Sequence, residues 1–183
     1  MNALPSIEQP RARVWAIPAA VALGCAALAE RSVSALSLGP TVAVGVVGLA
    51  GVVSYREAEH PSRARIAAIT GLGVVAVVAV RLISPPIHVA YTSWAFGANM
   101  VAAVAEEAFF RRFVYGWIAA RSEDLAIVVA ALLFAAIHIP VYGIGVLPID
   151  FAAGLLLGWQ RRESGTWLSP AVTHVVANII LMR

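Results

Sequence analysis

Ile66-Ala-Ala-Ile-Thr-Gly-Leu-Gly-Val-Val-Ala-Val-Val-Ala-Val-Arg-Leu-Ile83 carries a single charge, Arg81, close to its end. An α-helix needs about 17 to 25 apolar residues to cross a bilayer's hydrocarbon core, where each backbone N–H and C=O must be bonded inside the segment. The same reading extends to 14–29, 33–54, 97–120, 125–141, 147–160 and 167–182. The expected fold is therefore all-α: a polytopic transmembrane helix bundle of about seven spans in a single domain, 1–183. Composition agrees. The chain is 61% hydrophobic and 13% charged, with mean hydropathy +0.85, against about 45–50% apolar and 25% charged for a soluble domain. Pro85-Pro86 marks 84–96 as an interfacial connection, and the polar breaks 56–65, 121–124 and 160–165 read as loops.

All 13 basic residues are arginine, a bias expected from a GC-rich genome, and the net charge of +3 is spread between apolar runs. With no basic cluster interleaved with aromatics, no nucleic-acid partner is expected. The single cysteine, Cys25, leaves no internal disulfide and no cysteine-rich metal site. The first span has the outline of a signal peptide but is retained as a helix, its leading segment being long and position 22 being Ala22. Arg11, Arg13, Arg56, Arg63, Arg65, Arg121, Arg161 and Arg162 fall on one side and Arg31, Arg81 and Arg183 on the other. Cytoplasmic loops are the arginine-rich ones, so the N-terminus is expected in the cytoplasm.

Against this background Glu106 and Glu107 stand out, with His138, His174 and Asn178 in equally apolar surroundings. An ionisable group at bilayer depth costs about 2.5 to 3.5 kcal/mol on insertion scales, which points to use rather than accident. Glu107 and Arg111 are four residues apart and share a helix face as an ion pair. Glu106, about 100° away, shares its face with Phe110, Phe113 and Trp117, and is left unpaired to exchange protons. His174 and Asn178 repeat the four-residue spacing, and an imidazole beside a carboxamide suits a developing oxyanion. His138 with Glu106 can hold and deprotonate a water. Counted from the 121–124 loop, Glu106 and His138 lie at a common depth of roughly 20 Å, and a polar cavity in the C-terminal half is expected there.

Simpler roles stand beside these. A lone intramembrane histidine often only packs or bonds a neighbouring helix, and Glu107 with Arg111 reads as structural support. His60 and His88 are loop residues, and Gly154 and Gly158 allow close helix approach. Asp150, just after Pro148, either caps that helix or orients a pocket group, and capping is the default reading. Trp117, Tyr142 and Trp167 read as interface anchors.

E-E-A-F-F-R at Glu106 to Arg111, F-A-A-I-H at Phe134 to His138 and H-V-V-A-N at His174 to Asn178 resemble, in order and spacing, three motifs of the CAAX protease and bacteriocin-processing family. This family, also called the abortive-infection family, includes the Ras-converting CAAX prenyl endopeptidases. The resemblance covers a core at 101–181. It implies an intramembrane glutamic endopeptidase acting on a membrane-associated protein or peptide substrate, with Glu106 and His138 activating water and His174 and Asn178 stabilising the oxyanion. Glu107 and Arg111 match its supporting pair. The chain stops five residues after Asn178, where prenyl-peptide members continue into another helix. Bacteriocin maturation, self-immunity and membrane-protein processing are the implied settings, in a bacterial plasma membrane.

No cofactor is expected. The alternative is zinc, with Glu106, His138 and His174 as ligands, although no His-Glu-x-x-His is present. From a different class, a non-enzymatic bacteriocin-immunity or partner-binding membrane protein would use the polar cluster for packing, and a proton or ion pathway would use it as a relay.

Overall fold

The computed structural model describes residues 11–33, 38–50, 61–83 and 92–181. Among these the chain is helical throughout, with no strand. The elements are α1 (Arg11–Val33), α2 (Leu38–Ala50), α3 (Arg63–Ile83), α4 (Ser93–Glu107), a π-helical stretch (Ala108–Val114), α5 (Tyr115–Ala119), α6 (Glu123–Ala136), α7 (Ile139–Tyr142), a 3-10 turn (Ile144–Val146), α8 (Leu147–Ser164) and α9 (Leu168–Leu181). His60, His88 and parts of the expected 33–54 span and 84–96 connection lie outside the described residues.

Apolar side chains face outward to an extent that water would not tolerate. Leu72, Val75, Leu82 and Ile83 of α3 are exposed, as are Leu125, Val128 and Leu132 of α6 and Ile149 of α8. Large contiguous apolar surface of this kind belongs against lipid or a partner. Two helical segments are long and apolar enough to cross a membrane, Arg63–Ile83 and Glu123–Tyr142, and the first buries only Gly73; Ala16–Glu30 and Leu168–Ile180 are shorter apolar helices.

Several boundaries differ from the sequence expectation, each for a local reason. The 97–120 run is not one regular α-helix: it widens into the π-helical stretch, where Phe109, Phe110 and Arg111 are fully buried and the Arg111 carbonyl accepts from Arg161 Nε at 3.0 Å. The uniform turn used to align Phe110, Phe113 and Trp117 with Glu106 therefore does not hold across it. The 125–141 run breaks after Ala136, because Pro140 can neither donate to nor fit against the preceding turn. His138 sits at that break, its carbonyl receiving the N–H groups of Val141 and Tyr142.

The expected 160–165 loop is instead the last turn of α8, ending at Gly165 in the left-handed region, φ 69°. Buried polar partners extend that helix. Gln160 Nε2 donates to the Ile69 carbonyl at 2.9 Å and to Thr173 Oγ1 at 3.0 Å, and Ser164 Oγ bonds the carbonyls of Gln160 and Thr166. Residues 93–96 of the expected connection already belong to α4, which Thr92 caps by accepting from the Ala95 N–H.

The expectation for Gly154 and Gly158 holds. A Cβ on Gly154 would lie 2.8 Å from Ala131 Cα, and one on Gly158 would lie 2.9 Å from Ile127 Cγ2, so α8 lies almost backbone to backbone on α6. Trp167 is buried against Ala108 and Ala171 with the Arg112 guanidinium 6.0 Å from its ring, rather than standing as an interface anchor.

Candidate active site

The polar centre begins where α4 passes into the π-helical stretch. Glu107 and Arg111 are both fully buried, and Arg111 Nε lies 3.2 Å from Glu107 Oε2, as the four-residue spacing predicts. Nη2 donates to the Gly154 carbonyl at 3.2 Å, and the cation rests 4.7 Å from the centre of the Phe134 ring, while Nη1 is buried without a hydrogen-bond partner. Such a cation depends on the carboxylate beside it, since an uncompensated buried charge is costly.

Glu107 has a second partner that no helical spacing encodes. Its Oε1 lies 2.9 Å from His174 Nδ1, so one carboxylate joins Arg111 on its own helix to an imidazole on α9. The other ring nitrogen of His174, Nε2, is 4.0 Å from Glu106 Oε2. Glu106, only 2% exposed, is therefore not the lone carboxylate expected. The reason is geometric: an imidazole has two nitrogens on opposite edges, and His174 spans two adjacent carboxylates that a helix turn has splayed apart.

His138 stands across the Phe134 ring, whose centre is 4.9 Å from the His138 ring and 5.5 Å from the His174 ring, both edge-on. His138 Nδ1 lies 2.9 Å from the Phe134 carbonyl and 3.4 Å from Asp150 Oδ2. A carbonyl only accepts, so this nitrogen bears the proton, and in the neutral ring Nε2 keeps its lone pair. His174 follows the same logic, with its Nδ1 against a carboxylate.

Asp150 does not cap α8, whose N-cap, Val146, makes no side-chain cap bond. Its carboxylate lies within electrostatic reach of His138, Glu106 and His174. A carboxylate in an apolar run was the signal for this role, but one helix alone cannot reveal its partner on another.

Asn178 is turned elsewhere. Its Nδ2 donates to the Asn99 carbonyl at 3.4 Å, tying α9 to α4 two turns ahead of Glu106. The structure thus links Glu106, Glu107, Arg111 and His174 directly, sets His138 one aromatic ring away beside Asp150, and seats Asn178 one turn beyond His174 on the α4-facing side. Among the described residues, no three His, Cys, Asp or Glu side chains are grouped as a metal ion would require, Glu106, His138 and His174 included.

An all-helical chain with apolar outer faces and a buried, mutually bonded set of carboxylates, imidazoles and one guanidinium is a membrane-type protein with an ionisable interior. Residues 88–180, just over half of the 183-residue chain, match the family model of the type II CAAX prenyl endopeptidase Rce1-like proteins, and the chain belongs to that family. The family is one of membrane-embedded proteases. No curated protein and no solved structure matches the chain.

Proposed function

We propose that this protein is an intramembrane endopeptidase that cuts membrane-associated protein or peptide substrates by direct attack of water, within a polytopic bundle whose polar cavity lies in the C-terminal half. Water bound between Glu106 and His138 hydrogen-bonds to His138 Nε2 and gives a proton to the Glu106 carboxylate as its oxygen adds to the scissile carbonyl carbon. The carbonyl π electrons move to oxygen. That oxyanion is met by His174 Nε2–H, with the imidazolium balanced by Glu107, and by the Asn178 N–H that does not face Asn99. Collapse then expels the amine, which takes the proton back from Glu106.

Positioning and preorganised donors in a water-poor interior lower the barrier without a covalent intermediate. The observation that carries this reading is that each imidazole has its Nδ1 against an oxygen, at 2.9 Å in both cases, which leaves both Nε2 atoms for chemistry, as an acceptor on His138 and as a donor on a protonated His174. A packing role for the cluster would not require that coincidence.

The test is Glu106→Gln. The amide keeps the shape but cannot take a proton, so the variant is expected in the membrane at wild-type abundance with cleavage reduced by about 10²- to 10⁴-fold, the usual weight of general-base catalysis. Wild-type turnover by this variant would remove Glu106 from the mechanism.

A further inference from the structure

We propose that Asp150 is the positioning residue of His138, and this rests on the peptidase reading above. A carboxylate in the first turn of a helix ordinarily serves the free N–H groups there. Asp150 makes no such bond. Instead its Oδ2, shielded from solvent and without a hydrogen-bond partner of its own, lies 3.4 Å from His138 Nδ1. Leaving a shielded carboxylate oxygen without a partner is costly unless it acts elsewhere.

The packing of α8 on α6 explains how it arrives. Gly154 lies against Ala131 and Gly158 against Ile127, so the two helices run antiparallel at very short range. Asp150 is one turn before Gly154, and His138 is two turns beyond Ala131, just past the break enforced by Pro140. Near-contact of the two backbones thereby brings a first-turn side chain of α8 level with the broken end of α6.

His138 Nδ1 lies 2.9 Å from the Phe134 carbonyl, its hydrogen-bond acceptor, and 3.4 Å from the Asp150 carboxylate, close enough for electrostatic contact but outside hydrogen-bond geometry. The carbonyl belongs to the turn preceding His138 and cannot fix the ring plane alone, because it lies on the same helix and moves with it. Asp150 supplies the reference from a second helix. It holds the ring with Nδ1–H outward and Nε2 bare toward the water, and its negative charge favours the ring when Nε2 attracts a water proton. The logic is that of a carboxylate behind any working histidine, in which the partner of one nitrogen decides what the other can do.

Two measurements on the full chain in nanodiscs test this, both with Asp150→Ala and Asp150→Asn. In ¹⁵N spectra of histidine-labelled protein, with the His138 signals identified by their loss in His138→Gln, the parent should show the Nδ1–H tautomer. Asp150→Ala should show a mixed population. Asp150→Asn retains an acceptor oxygen and should keep the parent tautomer. In turnover of a peptide substrate, Asp150→Ala should lower kcat by about 10- to 100-fold, the cost typical of losing an imidazole's orienting partner, with KM within about twofold. Asp150→Asn should fall less.

An Asp150→Ala protein with unchanged His138 shifts, or with unchanged kcat, overturns the proposal. So does a loss of stability with the tautomer intact, which is what a helix cap would give. If Asp150→Ala does not fold, Asp150→Asn decides by the same kcat criterion. Should the parent show no peptidase activity, the functional reading falls, and the tautomer measurement alone still decides whether Asp150 orients His138.

Discussion

Glu107→Gln isolates the energetic centre of the site. The substitution keeps the volume and, through its carbonyl oxygen, an acceptor for His174 Nδ1, which lies 2.9 Å from Glu107 Oε1. The amide NH₂ then falls where Oε2 stood, 3.2 Å from Arg111 Nε, and sets donor against donor. Arg111 is left fully buried with the Gly154 carbonyl and the Phe134 ring as its nearest remaining partners.

Breaking a buried ion pair from one side costs about 3 to 5 kcal/mol, and the two surviving contacts argue for the lower end, about 3. At 1.4 kcal/mol per decade this lowers the folded-to-unfolded ratio roughly 100-fold. The assay is unfolding in mixed detergent and dodecyl sulfate micelles followed by tryptophan emission, with membrane abundance measured in parallel. Glu107→Gln combined with Arg111→Met removes both charges and is expected to recover most of the loss, because the penalty belongs to the orphaned cation. A Glu107→Gln protein within about 0.5 kcal/mol of the parent, or a double variant showing the simple sum of two losses, would refute the reasoning.

Three further outcomes are expected. Gly154→Ala should destabilise by about 1 to 3 kcal/mol in the same titration, since its Cβ would meet backbone at 2.8 Å, whereas Gly97→Ala, with open space around it, should be close to neutral. Active purified protein should contain no stoichiometric zinc by elemental analysis and should keep its activity after chelation; activity lost on chelation and restored by zinc would replace the water mechanism with a metal-assisted one. In a Cys25→Ser background, a cysteine at Ser122 should be labelled from the cytoplasmic side and one at Gly145 from outside, and the reverse pattern would invert the orientation read from the arginines.

What the sequence made legible was whatever a single helix can express. Apolar run length located the helical segments, and four-residue spacing placed Glu107 on Arg111, because both follow from 3.6 residues per turn. Helix α3 needed only its own residues to be read. The rest depends on neighbours far along the chain. Nothing within 97–120 announces the π-helical stretch, which is supported by Arg161 bonding a carbonyl fifty residues away. The last turn of α8 looked like a polar loop because the Gln160 Nε2 and Ser164 Oγ donors find acceptors on α3, on α9 and in the turn leading into α9. Likewise His174 could be matched to Asn178 by spacing, but its bond to Glu107 spans 67 residues and no periodicity encodes it.

The widened turn between Glu107 and Tyr115 also makes this region sensitive to length in a way that composition does not show. It acts as a phase shifter: Ala108–Val114 holds one arrangement of buried rings and carbonyls while α4 and α5 keep ordinary α-helical phase on either side. Closing the stretch to a regular helix at constant length would turn everything beyond it by roughly 100° relative to Glu106, and Tyr115 and Ile118, now buried, would leave the core together. Removing one residue as it closes would cancel that turn, because the widened stretch holds about one residue more than a regular helix of the same rotation. A conservative substitution at the same positions changes one contact, whereas straightening without a deletion changes the heading of the whole helix end.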